Sequence, residues 1–197
     1  MLASSQIRSR WFRNRSAADP IVGGIWYAII VGIRSDDLAI SVRRATIADA
    51  PALAELVNRA YAVESFFVDG HRTNVDEVAR LTERATFLVL EQRAVASLAA
   101  AVCIEPSGYF GMLSVSPDCQ GRGLGTRLVS IAEAMGEAMG VDAMTLQIVN
   151  LREELGRWYR SLGYREVGTA PYEHRPVKRP CHFVKMRKSL HSIAVAA

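Results

Sequence analysis

The chain has 197 residues, half of them hydrophobic and 22% charged. That supports one packed domain plus some tail and excludes a disordered chain, a collagen and a small disulfide scaffold. The formal charge of +4 sits at the ends: residues 1–38 carry 5 Arg against 3 Asp and residues 168–197 carry 6 Lys or Arg against 1 Glu, whereas residues 39–167 carry 13 Arg against 16 acids. A mildly acidic body lacks the basic stripe of a nucleic-acid-binding domain.

Residues 1–20 hold Arg8, Arg10, Arg13 and Arg15, and a thirteen-residue apolar run follows from Ile21 to Ile33. The run is too short to span a bilayer. A signal peptide, a transit peptide and a poorly ordered extension compete for this segment; no small-residue cleavage site follows Ile33, and the extension is preferred for residues 1–37. Cys103, Cys119 and Cys181 are odd in number and show no C-x-x-C spacing. This argues against a disulfide framework or a zinc site and for a reducing compartment, with a cytoplasmic location expected.

The folded domain is expected over 38–190, with 191–197 as a tail. Leu38 to Ala45 has strand character. Thr46 or Asp49 then caps a helix with Pro51 in its first turn, and Leu53, Leu56, Val57 and Ala60 recur at helical spacing. Asn74 opens a second helix from Val75 to Glu83. Phe87 to Glu91 and the Ala-rich Ala94 to Ile104 read as strands around a turn at Gln92-Arg93, and Tyr109 to Val115 is a third strand of this group. A long helix over Leu124 to Met139 carries the stripe Leu124, Leu128, Ile131, Met135 and Met139. Ala143 to Val149 is a strand. Glu153 to Leu162 is a helix with Leu155, Trp158 and Leu162 on one face, stopped by Gly163. Strands starting at Tyr164 and His182 close the domain. The order β-α-α-β-β-β-α-β-α-β-β is mixed α/β and not doubly wound.

Gly121, Gly123 and Gly125 stand between a strand and an amphipathic helix, where backbone N–H groups at a helix N-terminus suit an anion such as phosphate. A P-loop would end in G-K-S or G-K-T, and Gly125 is followed by Thr126-Arg127. A dinucleotide fold would carry G-x-G-x-x-G early in the domain, with an acid at the end of the next strand. Here the spacing is G-x-G-x-G, and the next strand ends at Val149-Asn150.

Gln120-x-x-Gly123-x-Gly125, after Met112-Leu113-Ser114-Val115-Ser116-Pro117, resembles the acyl-CoA-binding signature of the GNAT acetyltransferase superfamily. Asn150, Trp158-Tyr159 and Leu162-Gly163-Tyr164 are similar to its second signature. The resemblance spans about Ala39 to Leu190. It implies a GNAT-like central mixed sheet flanked by helices and an N-acyltransferase that moves acetyl from acetyl-CoA, without a metal, to a primary amine by direct transfer in a ternary complex. The family's pattern places the pyrophosphate on the backbone from Gly121 and Arg122 through Leu124 to Thr126. Leu113, Ser114 and Val115 would lie along the pantetheine arm, Asn150 would hydrogen-bond it, and Tyr159 would stand near the sulfur. One departure concerns the gap from Asn150 to Tyr159, which is nine positions where many members have about seven; Leu151-Arg152-Glu153-Glu154 lengthens the approach to the helix.

Acyl transfer to an amine needs a base, stabilisation of the carbonyl oxygen and a proton for the leaving thiolate. Many members carry a carboxylate on the central strand; Tyr109 to Val115 has none. Glu64, His182, Glu105 and His71 are the alternatives for the base, with Glu64 and His182 preferred. Phe67 and Arg72 are expected to line the acceptor site, where an Arg favours a carboxylate or phosphate. Arg175, Lys178 and Arg179 read as a solvated basic loop. The expected partner is a small-molecule or peptide amine, without nucleic acid or membrane, acting on a monomer or homodimer. A non-catalytic acyl-CoA sensor of the same fold is the rival.

Overall fold

Phe87 to Leu90 is a continuous apolar run, and burying both faces of such a strand takes a layer of helices on each side. The computed structural model, which describes residues 40–92, 97–173 and 175–190, shows that arrangement. Its strands are β1 (Ile40–Arg44), β2 (Thr86–Gln92), β3 (Ser97–Ile104), β4 (Phe110–Val115), β5 (Ala143–Val149), β6 (Arg165–Pro171) and β7 (His182–Ser189). The helices are α1 (Ala50–Tyr61), α2 (Val75–Arg84), α3 (Leu124–Ala138) and α4 (Glu153–Ser161). This is the mixed α/β order expected from the sequence. The readings of residues 1–37, of Arg93 in the β2–β3 turn and of the tail 191–197 lie outside the described residues.

Local chemistry explains the element boundaries. Thr46 N–H donates to Asp49 Oδ2 at 2.7 Å, and Asp49 is also gripped by Arg43 through bonds of 2.8 and 2.9 Å. Led by the Arg43 contact, these bonds hold the Asp49 carboxyl down at about 2. Asn74 caps α2 by accepting from Glu77 N at 2.9 Å. Ala-rich β3 is a strand because it lies at the centre of its sheet, with Ala99 to Ile104 buried; small side chains let the layers approach closely.

Strands β1-β2-β3-β4 form one antiparallel sheet, and β5-β7-β6 form a second. α1 and α2 cover the sheet face of Phe87, Val89, Ala101, Cys103 and Met112. Leu124, Leu128, Ile131 and Met135 are buried as the α3 stripe predicts, and Met139 is half-buried at its end. The sheets meet where Tyr109 and Thr145 form a single parallel bridge, with Thr145 N–H donating to Gly108 O at 2.9 Å. Beyond that bridge β4 and β5 have no further pairing among the described residues, and a groove opens between them.

Gly108 holds this junction. Its φ is +83°, and a Cβ there would stand 2.6 Å from Ala143 O and 3.1 Å from Val141 Cγ2. Gly140 has φ +71° but open space around the same position. Gly108→Ala is therefore expected to cost about 2–4 kcal/mol of stability, backbone strain plus overpacking, and Gly140→Ala about 1–2 kcal/mol from strain alone. Urea unfolding of the two variants measures the difference; equal losses would contradict the tight junction.

Candidate active site

The groove between β4 and β5 has a volume of about 400 Å³. One wall is Tyr109 to Leu113 with Val115, and the other is Leu146 to Val149. Its outer end shares Val115, Gln120, Gly125 and Trp158 with a smaller hollow of about 250 Å³, lined also by Cys119, Gly121, Gly123, Leu124 and Thr126. A single path thus leads from the glycine turn to the space between the strands.

The turn suits an anion. Gly121 and Gly123 both have φ +75°, a left-handed backbone that glycine adopts without strain, and a Cβ at either would meet open space. The first α-helical bond at this end of α3 runs from Arg127 N–H to Gly123 O at 3.0 Å. The N–H groups of Leu124, Gly125 and Thr126 therefore precede the helical ladder and point out of the helix start. Gln120 Nε2 donates to Val115 O at 3.3 Å and ties the turn to the end of β4.

Strand β4 contains a feature that the strand reading missed, although Gly111 within it is a sign of one. Ala101 pairs with Ser114 but Cys103 pairs with Gly111, so β4 carries one extra residue in a bulge. Met112 in that bulge has φ +49°, the one non-glycine residue with positive φ among the described residues. Ser114 is buried, and its hydroxyl donates to Met112 O at 3.0 Å, bracing the bulge from the side away from the groove. Past the bulge, Ser116 N–H donates to Ala99 O at 2.8 Å. By the alternation of an antiparallel ladder, Val115 then turns its N–H toward the groove.

Tyr159 and Glu64 both reach the inner end. Tyr159 is 5% exposed and packs against Phe110 (ring centroids 6.2 Å), Trp158 (4.6 Å) and Tyr164 (5.6 Å). Burial, with Tyr61 and Tyr109 nearby, pushes its phenol well above the ordinary range. The buried face of α4 centres on Gly156 and Tyr159; Leu155 and Trp158, read from the sequence as the core stripe, instead line the groove half-buried. Glu64 is 6% exposed, with Arg152 Nη1 at 3.4 Å and Arg175 Nη2 at 3.7 Å from its two oxygens. Burial pushes the Glu64 carboxyl up, and the opposing pull of Arg152, Arg72 and Arg175 does not reverse it.

Other residues expected at the site lie elsewhere. His182 is exposed and does not line the groove; its backbone N–H donates to Asn150 Oδ1 at 2.9 Å. That bond, with Asn150 N–H donating to His182 O at 3.0 Å, makes Asn150 a clip between β5 and β7, outside the lining residues. Phe67 is fully buried against Phe66 and Tyr172, so it is a core residue and no part of the acceptor wall. Arg122 contributes no side chain to either hollow. The basic loop is docked rather than solvated. Arg175 donates to Gly70 O at 3.0 Å and to Tyr172 OH at 3.2 Å, and Lys178 Nζ donates to Ser65 O at 2.8 Å. Arg72 does line the groove, with its guanidinium 5.6 Å from the Tyr61 ring centroid.

The fold and groove define a domain that can hold an extended anionic ligand between two splayed strands. Residues 83–166 match the family profile described as an acetyltransferase (GNAT) domain. That match covers residues 83–166, and the likeness in fold to solved acetyltransferase structures extends beyond them. Among solved structures, yncA from Salmonella typhimurium, assigned as an acetyltransferase and solved with its cofactor acetyl-CoA, is 21% identical with a TM-score of 0.63, covering 81% of this chain and 98% of its own. The ribosomal-protein-S18-alanine N-acetyltransferase of Escherichia coli is 19% identical with a TM-score of 0.66, covering 80% and 98%. An N-acetyltransferase of Staphylococcus aureus Mu50 is 14% identical with a TM-score of 0.62, covering 77% and 99%. A comparison with curated protein sequences returns no match.

Proposed function

We propose that this chain is an acetyl-CoA-dependent N-acetyltransferase acting on a primary amine by direct transfer in a ternary complex. The observation that carries the proposal is the path from the glycine turn to an inner end where Glu64 and Tyr159 both line the groove. The site residues lie within 38–190, which we take as the transferase unit, and a cytoplasmic setting suits a chain with no disulfide among its described residues.

Acetyl-CoA, when bound, supplies an acyl group activated as a thioester. The backbone from Gly121 to Thr126 would hold its pyrophosphate. Leu113 and Val115 would bind its arm along the free edge of β4, in the manner of an added strand. The Val115 N–H turned toward the groove is a hydrogen-bond donor for charge developing on oxygen. Glu64, as the carboxylate, takes the proton of the acceptor amine, and Tyr159 Oη gives one to the leaving sulfur.

Incubation with acetyl-CoA and a panel of amines, followed by free thiol, tests this. Release is expected only when an amine is present. Release without any amine would remove direct transfer, and CoA binding with no release under any condition would favour the sensor.

The raised carboxyl of Glu64 also sets a pH dependence. Below its pKa the base is protonated and the rate falls, so kcat/KM should decline on the acid side with an inflection above the usual Glu value of about 4.3. Glu64→Gln should remove that limb and lower the rate by about 10²–10⁴-fold. The acceptor's own ionisation is shared by both proteins, so the difference isolates Glu64. An unchanged profile in Glu64→Gln would give the base role to another group.

A further inference from the structure

We infer that the acceptor carries an anionic group, a carboxylate next to its amine as in an amino acid, and that Arg72 receives it. The inference rests on the acetyltransferase reading above and names the substrate class of the same groove.

Three arginines surround the Glu64 carboxylate. Arg152 donates to Glu64 and, from Nε, to Glu154. Arg175 is held by Gly70 O, by Tyr172 OH and by Glu64. Both guanidiniums are spent on the protein. Arg72 is half-buried and lines the groove beside Tyr61, Glu64 and Tyr109, with its guanidinium carbon over the Tyr61 ring at 5.6 Å from the centroid. No hydrogen bond or ion pair joins its guanidinium to any described residue, and a cation–π contact uses none of the N–H donors of an Arg, which suit a planar oxyanion.

Charge bookkeeping at this end agrees. Glu64 pairs with Arg152 and Arg175 and Glu154 with Arg152, and of the three arginines Arg72 is the one with no carboxylate within ion-pair distance among the described residues. A polyamine would bring more positive charge to a place where the acidic groups are already matched. An acceptor with both an amine and a carboxylate matches the surplus: the oxyanion pairs with Arg72 while the amine lies toward Glu64. Arg–carboxylate pairing is often bidentate, and so fixes orientation as well as affinity.

The test compares L-amino acids, the matching α-aminophosphonates, the matching decarboxylated amines and spermidine as acceptors, with CoA affinity measured separately by calorimetry. Amino acids should exceed their decarboxylated partners by about 10–100-fold in kcat/KM, the worth of a charge-assisted hydrogen bond or pair. Arg72→Gln should collapse that ratio toward one, Arg72→Lys should keep part of it, and CoA affinity should stay within about threefold in both. Preference for the aminophosphonate would keep Arg72 as the receptor and overturn the carboxylate. Equal use of decarboxylated amines or spermidine, an unchanged ratio in Arg72→Gln, or no turnover of any amino acid by a protein that binds CoA would overturn the inference. Failure to bind CoA would overturn the acetyltransferase reading itself, and the inference with it.

Discussion

Replacing Tyr159 by Phe should lower kcat by about 10²–10⁴-fold, the usual worth of general acid catalysis. The substitution removes one hydroxyl and leaves the ring among Phe110, Trp158 and Tyr164. Because burial drives the phenol above its ordinary value of about 10, Tyr159 keeps its proton at any working pH and is a donor, not a base. A phenol of raised pKa is a weak acid toward a thiolate in water. In the groove, however, burial disfavours the thiolate as well, so the two values rise together and the transfer is not made steeper. KM for acetyl-CoA should change less than kcat, because the bond strengthens as the thiolate forms. The melting temperature serves as the control: a hydroxyl with no hydrogen-bond partner among the described residues leaves the fold little changed when it is removed. A kcat within about threefold of the parent, measured where chemistry limits turnover, would reduce Tyr159 to a packing aromatic.

The order of elements was legible in the sequence because local signals mark it. Asn74 and Thr46 announce helix starts, Gly140 and Gly163 announce stops, and the run Phe87 to Leu90 announces a central strand. The glycine turn was legible for the same reason, since its chemistry is backbone chemistry within a few residues. Long-range chemistry was not. Glu64 depends on Arg152, 88 positions away, and on Arg175, which is farther still. Arg175 was read with its sequence neighbours as solvated, because its partners come from a different part of the chain. The lengthened approach to α4, a departure when read in one dimension, is the segment that delivers Arg152 to Glu64. His182 illustrates a further limit. Strand alternation turns its neighbour Phe183 into the groove and His182 out of it, and a shift of one residue reverses the assignment. Gly111 inside β4 is a sign of a bulge that the strand reading passed over, and the left-handed backbone itself falls on Met112, which no sequence pattern marks.

Gly123→Glu should abolish CoA binding, a loss of at least about 10²-fold in affinity, as expected when an unpaired like charge is put in an anion site. Two effects of this substitution must be separated. Any non-glycine residue at φ +75° costs about 1–2 kcal/mol of backbone strain. Gly123→Ala has that cost alone, because a Cβ at this position meets nothing within 4 Å. The carboxylate adds a second effect that differs in sign between folding and binding. Gly123 immediately precedes the first residue of α3, where a negative side chain stabilises the helix by about 0.3–1 kcal/mol. The Glu variant should therefore be no less stable than the Ala variant while binding CoA far more weakly, since its carboxylate occupies the place intended for phosphate. Calorimetry with CoA, alongside melting of both variants, reads the two effects independently. If Gly123→Glu and Gly123→Ala lost affinity equally, strain and not charge would account for the loss, and the glycine turn would no longer be the pyrophosphate site.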